Sequence, residues 1–241
     1  MFAISHYCEK ARWALDHHGI EYEISHLPPG PHAFTAKKLG ATATTLPILV
    51  TNGQVVQGSS NIIDWAEAQA SDVSIRLTPS SNIEDCLKLE KRLDDLAGVH
   101  VRRHYYSEAL FDYPETVRKN FADDLTLFKK FVHYGIWTMV RKRMIDMMDL
   151  GAEQGKQSKN IIEGELDWVD SLISDGRPFL IGDKFSRADL TAASLLAPLA
   201  MPNEHPTYSK LSLRPQMTAD LLNWEGRPSI KWVHEIYSQY R

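Results

Sequence analysis

Met1-Phe2-Ala3-Ile4, followed by Ser5-His6-Tyr7-Cys8-Glu9-Lys10-Ala11-Arg12, reads as a short apolar strand running into the start of an amphipathic helix. Ser5 and Cys8 have the spacing of a Cys-x-x-Cys redox pair, with serine at the first position. In a strand–loop–helix unit that position presents its side chain at the helix N-terminus. A hydroxyl there cannot cycle between thiol and disulfide. It can donate a hydrogen bond to a thiolate carried by another molecule.

Outward from this stretch the pattern alternates strands and helices. Tyr7–His18 is helical, with Ala11, Ala14 and Leu15 on one face and Gly19 suited to the C-terminal cap. Ile20-Glu21-Tyr22-Glu23-Ile24 alternates apolar and acidic residues, as a half-buried strand does. Leu27–His32 is a proline-rich loop, and Ala33–Leu39 is a short helix ended by Gly40. Pro47–Val50 and Gln54–Gln57 flank Asn52-Gly53, a strong hairpin signal. Ser59–Gln69 is a helix that Ser59 or Ser60 can cap. The predicted order is β-α-β-α-β-β-α. It gives an α/β first domain over residues 1–72 and a polar linker over 73–82.

Residues 83–241 read as all-helical. One long helix runs through Leu87, Leu89, Leu93, Leu96 and Val99 to Val101, a second from Phe121 to Met148, and a third from Lys156 to Ser174. The basic pairs on the second suit a solvated bundle face better than a membrane surface. Ser186-Arg187-Ala188-Asp189 forms a capping box ahead of Leu190–Leu199, which gives Asp189 a structural role. Ile230–Tyr240 is the last helix.

Composition narrows the function. The chain has 241 residues, 43% of them hydrophobic, and a net charge of −4, which argues against a nucleic-acid partner. Its two cysteines, Cys8 and Cys86, form no disulfide framework and suit a reducing compartment. The sequence shows neither a signal peptide nor an apolar run of the roughly 18 residues that a membrane span needs. The opening strand is short, so the start of the natural chain is expected upstream. His100 and His104 have metal-ligand spacing, but no third ligand stands out and no metal is expected.

Four motifs together resemble the cytosolic glutathione transferases. They are Ser5-x-x-Cys8-x-Lys10-Ala11-Arg12, Thr45-Leu46-Pro47-Ile48-Leu49, Gly58-Ser59-Ser60-Asn61-Ile62-Ile63 and Phe185-Ser186-Arg187-Ala188-Asp189-Leu190. The first resembles the helix starts of serine-type members. Glu9–Asp16 and Gly176–Leu180 are similar to bacterial members of no defined class. The resemblance implies a thioredoxin-like domain with a C-terminal helical bundle. It implies a transferase that conjugates glutathione, its co-substrate, to a small hydrophobic electrophile, with no permanently bound cofactor. A cytoplasmic homodimer acting in detoxification is the corresponding expectation.

Carried onto this sequence, the resemblance makes Ser5 the thiol donor, with Tyr7 and Cys8 as rivals. Leu46, with a cis bond to Pro47, would pair with the cysteinyl backbone of glutathione. Ser59 and Ser60 would hold the γ-glutamyl carboxylate at a helix N-terminus. Gly58 stands where the family has a polar or acidic residue, so Gln57, Asn61 or the partner chain of a dimer is the expected substitute for the α-amino contact. His32, Lys37 and Lys38 are candidates for the glycyl carboxylate. The electrophile pocket is expected among His6, His100, Arg102, Arg103, Tyr105 and Tyr106. Two alternatives stay open: a glutathione-dependent thiol transferase or peroxidase using Cys8, and a non-enzymatic binding module of the same fold.

Overall fold

The computed structural model describes residues 1–208, 211 and 215–241. It opens with helix α1, His6–His17, capped by the Ser5 hydroxyl, which accepts the Cys8 N–H at 3.3 Å. Helix α2, Pro31–Lys38, starts on a proline, whose fixed φ suits a first helical turn. The antiparallel hairpin β1, Ile48–Thr51, and β2, Gln54–Gln57, pairs Ile48 with Gln57 and Thr51 with Gln54. Asn52 and Gly53 both have positive φ, as the tight hairpin turn requires. Helix α3, Ser59–Gln69, follows.

Two predicted strands are absent. Met1–Ile4 and Ile20–Ile24 are not strands, and the sheet among the described residues is the two-stranded hairpin. The Met1 amino group donates to the Ser25 carbonyl, and the Leu27 N–H donates to the Met1 carbonyl at 3.0 Å. That is one rung of a parallel ladder. Acidic–apolar alternation in residues 20–24 marks a half-buried extended segment, yet without neighbouring rungs it has no strand partner.

The described residues of the second part are mostly helical. Helix α4, Ile83–Arg92, runs through a π-helical segment, Leu93–Gly98, into α5, Val99–Asp112. The predicted Phe121–Met148 helix begins later, as α7 over Leu127–Met148, while Phe121 and Ala122 end a separate helix, α6, over Pro114–Ala122. Pro114 at the first turn of α6 sets its start. Helices α8, Ala152–Leu172, α9, Arg187–Ala200, α10, Pro215–Trp224, and α11, Pro228–Tyr240, complete the chain.

Helix α9 is the centre of packing, in contact with α1, α4, α5, α10 and α11. It is apolar nearly all round, as an interior helix must be. Leu190, Leu195, Leu196 and Leu199 are buried, and each contributes about 1.5–3 kcal/mol of transfer free energy. Its N-terminus carries the predicted capping box. The Asp189 carboxylate accepts the Ser186 N–H and hydroxyl and also the Leu180 N–H, at 2.9, 2.6 and 2.7 Å. A second cluster of Tyr106, Leu110, Phe121, Trp137 and Val140 joins α5, α6 and α7, and Phe2 and Ile4 pack against it. The opening segment is thereby laid between the two parts of the molecule.

A buried ion network ties α1 to the helical part. Lys10, fully buried, lies 2.8 Å from both Glu90 and Asp94, and the Arg187 guanidinium lies 2.8 Å from Glu90. Burial alone would raise the Glu90 carboxyl, but Lys10 and Arg187 together hold it below its ordinary value.

Candidate active site

A cavity of about 570 Å³ lies between the two parts of the chain. The opening segment supplies Phe2, Ile4, Ser5, His6 and Tyr7 to its lining, and α2 and the loop before β1 supply His32, Lys37 and Leu46. Helix α5 contributes Val101, Arg102, Tyr105 and Tyr106, and α7 contributes Val140, Arg143 and Met144. Aromatic and thioether side chains make up much of the wall, and polar groups come from α1, α2, the loop before β1, α5 and α7.

Ser5 is half-buried on this lining. Its oxygen is fixed by capping α1, which uses one acceptor lone pair. The hydroxyl proton is not consumed by that bond. Helix-terminal N–H groups and the macrodipole favour negative charge at the same place.

Tyr7 faces another group, and Cys8, whose thiol meets the Ser5 hydroxyl, lies outside the cavity lining. The Tyr7 hydroxyl donates to the Asp94 carbonyl at 2.6 Å, and burial pushes its pKa up. Its proton is therefore engaged within the π-helical segment. Cys8 is fully buried, and burial pushes its thiol up. It borders the separate space beneath residues 20–27 and β1, on the other side of α1. A thiol there has neither the access nor the ionisation that nucleophilic cysteines need.

His6 is buried, with Nε2 donating to the carbonyl of Gly98, the last residue of the π-helical segment, at 3.0 Å. That bond requires the neutral Nε2–H tautomer, which leaves Nδ1 as an acceptor. Burial, with the charge of Arg102 adding to it, pushes the imidazole pKa down to about 3.

The Leu46–Pro47 bond is cis, and Leu46 lines the cavity. Pro47, Gln57, Gly58, Ser59, Ser60 and Asn61 lie outside the lining. Gly58, with φ of +94°, is the N-cap of α3, and Ser59 and Ser60 follow as its first helical residues. Their N–H groups have no intrahelical acceptor. The Ser60 hydroxyl donates to Asp94 at 3.0 Å and accepts from Lys10 at 3.1 Å. Gln57 is used locally. Its amide donates to the carbonyls of Ala43 and Thr45, both at 2.8 Å, and accepts from the Ala43 N–H and the Thr42 hydroxyl. Asn61 donates to the Gln57 carbonyl at 2.7 Å. The Gln57 oxygen already accepts two hydrogen bonds, whereas the Asn61 bond uses its NH2 and leaves Oδ1 as an acceptor.

The helical phase of α5 sorts the predicted electrophile residues. Arg102, Tyr105 and Tyr106 face the cavity with His6. His100 and Arg103 do not. His100 meets the Ser158 hydroxyl at 3.1 Å, and Arg103 pairs with Asp149 beyond α7. Residues 100, 103 and 104 share one side of the helix, and that side packs on α8 and the chain leading to it. Charge in the sequence marked the region, but only the helix's rotation selects Arg102 over Arg103. His104 is tied to Asp220 and to the Gly155 carbonyl, and no metal-binding cluster occurs among the described residues. His32 and Lys37 line the cavity, while Lys38 is exposed outside it. No helix among the described residues is long and apolar enough to cross a membrane.

Residues 1–74 match the model of the glutathione S-transferase N-terminal domain. Glutathione transferase GSTFuA3 of Phanerochaete chrysosporium aligns over 98% of this chain and 90% of its own, at 18% identity and a TM-score of 0.65. Glutathione S-transferase CsGST63524 of Ceriporiopsis subvermispora, solved in complex with glutathione, aligns over 98% and 91%, at 16% identity and 0.62. The β-etherase LigF of Sphingobium sp. strain SYK-6 aligns over 94% and 93%, at 18% identity and 0.57. No curated protein sequence matches the chain. The fold is that of the glutathione transferases, a thioredoxin-like N-terminal domain with a small sheet followed by a mostly helical part.

Proposed function

We propose that the protein is a glutathione transferase that holds the glutathione sulfur as a thiolate near Ser5 and delivers it to an electrophile in the adjoining cavity. The observation that carries this reading is the position of Ser5. Its oxygen is anchored by the Cys8 N–H while its side chain lines a cavity walled by α5 and α7. An anchored hydroxyl can still donate, and a donor at a helix N-terminus favours a thiolate over a thiol. The glutathione-bound Ceriporiopsis structure, which shares the fold, supports glutathione as the thiol.

In this reading the Leu46 backbone pairs with the cysteinyl unit as an added strand would. The first-turn N–H groups of Ser59 and Ser60 take the γ-glutamyl carboxylate. Lys37 and His32 take the glycyl carboxylate. The thiol proton leaves to solvent. The sulfur lone pair then forms a bond to an electrophilic carbon, whose leaving group departs with the displaced electron pair. A cytoplasmic homodimer acting in detoxification is the setting that accompanies this chemistry.

The test is retention on immobilised glutathione, followed by conjugation of reduced glutathione to an aryl halide by the wild type and by Ser5→Ala. Retention with activity that falls at least tenfold in Ser5→Ala is expected. A protein that flows through the matrix and conjugates nothing overturns the reading in favour of a binding module.

A further inference from the structure

Arg102 differs from the arginines of the helical part that a carboxylate holds. Arg92, Arg103, Arg187 and Arg227 each pair with a carboxylate. Arg102, half-buried on the cavity wall, has no hydrogen-bond or ion-pair partner among the described residues. Ser209, Lys210, Ser212, Leu213 and Arg214, outside the described set, include no carboxylate. The cavity lining contains Lys37, Arg102 and Arg143 and no Asp or Glu, although the chain has a net charge of −4. Its charge is thus of one sign and opposite to that of the protein.

The charge of Arg102 reaches the cavity interior. After burial it is the next largest influence on the His6 imidazole and on the Tyr7 phenol, and it acts on Tyr106 as well. A half-buried guanidinium without a protein counter-charge keeps its N–H donors for an anion that enters the cavity. Its planar fork matches a carboxylate in two parallel hydrogen bonds. The remaining wall near it is aromatic, with Tyr105, Tyr106 and Phe121.

We propose that the second substrate is an aromatic molecule bearing a carboxylate, and that Arg102 binds that carboxylate. This rests on the transferase reading of the cavity. Arg143, exposed at the rim on α7, guides the anion inward.

The test is equilibrium binding of 2-naphthoate and of its neutral counterpart 2-naphthalenemethanol to the full chain by calorimetry, with and without saturating reduced glutathione. The wild type is expected to bind naphthoate at least about tenfold tighter than the alcohol, the range of a hydrogen bond to a charged group. Arg102→Met is expected to erase that preference while leaving alcohol binding within about twofold. Arg102→Lys, which keeps the charge, retains part of the preference and serves if the methionine variant does not fold. Equal affinity of the wild type for acid and alcohol overturns the proposal. So does an unchanged preference in Arg102→Met. One-for-one displacement of naphthoate by glutathione also overturns it, because Arg102 then serves glutathione. Binding is read without turnover, so a failure of conjugation leaves this result intact.

Discussion

The Tyr7 hydroxyl donates to the main-chain carbonyl of Asp94 at 2.6 Å, so the residue two positions after Ser5 is bolted to the π-helical turn of the helical part. Gly98, at the end of that turn, supplies the room. A Cβ there would collide with the Tyr7 hydroxyl and ring, and would crowd Leu195 at 3.1 Å. Gly98→Ala is expected to destabilise the protein by about 1–3 kcal/mol through overpacking. Most of that loss should vanish in the Tyr7→Ala background. Denaturant midpoints of the four proteins in the double-mutant cycle measure the coupling. Additive effects would show that the two residues do not share the space.

Tyr7→Phe separates anchoring from chemistry. It removes the donor to Asp94 and should reduce stability by about 1 kcal/mol, leaving conjugation per folded molecule unchanged. A loss of turnover larger than tenfold, with stability unchanged, would place the phenol at the sulfur.

Lys10 is the cation on which two carboxylates converge. Lys10→Met leaves Glu90 and Asp94 facing each other with only Arg187 and Ser60 to compensate. Breaking a buried pair from one side destabilises by about 3–5 kcal/mol. Thermal denaturation of the variant checks this, and an unchanged midpoint would contradict the network's role.

Asp189 illustrates a different kind of legibility. Its capping box can be read directly from Ser186-Arg187-Ala188-Asp189, because capping depends on residues three apart. The additional Leu180 N–H that the carboxylate accepts comes from a separate loop, and no local pattern announces it. Asp189→Ala strands three donors and should lower stability by at least about 2 kcal/mol, with unchanged kinetics in the molecules that fold. Retained stability would contradict that role.

The same distinction runs through the site. The Ser5 cap of α1, the Leu46-Pro47 bend and the start of α3 can be read from the sequence because each is a local motif. The opening strands were overread, since alternation in Ile20–Ile24 reports burial and not pairing. The engagement of Gln57 with the 42–45 loop, and the selection of Arg102 and Tyr106 over His100 and Arg103, depend on contacts between distant segments. The π-helical turn has no sequence signature either. Its position becomes meaningful only when His6 and Tyr7 are seen donating to its carbonyls.

Acid sensitivity follows from two buried histidines. Burial first, and then nearby arginine charge, lowers both His6 and His205 to about 3 from 6.5. Between those values the unfolded chain binds protons that the folded chain does not, so stability rises with pH through this window and is lost as pH falls. Each histidine adds a slope of up to about 1.4 kcal/mol per pH unit. His6→Gln, which keeps an N–H donor for Gly98, should flatten the pH dependence of the unfolding free energy by about one proton between pH 4 and 6. An unchanged slope would show that His6 is not held neutral.

The central claim is that Ser5 stabilises a thiolate brought by glutathione. Ultraviolet titration of the sulfur in the glutathione complex tests it most directly. The wild type should ionise the bound thiol well below the value of about 8.5 typical of a free cysteine thiol, and Ser5→Ala should return it upward by at least about one pH unit without abolishing binding. Equal thiol titration in the two proteins would remove Ser5 from the mechanism.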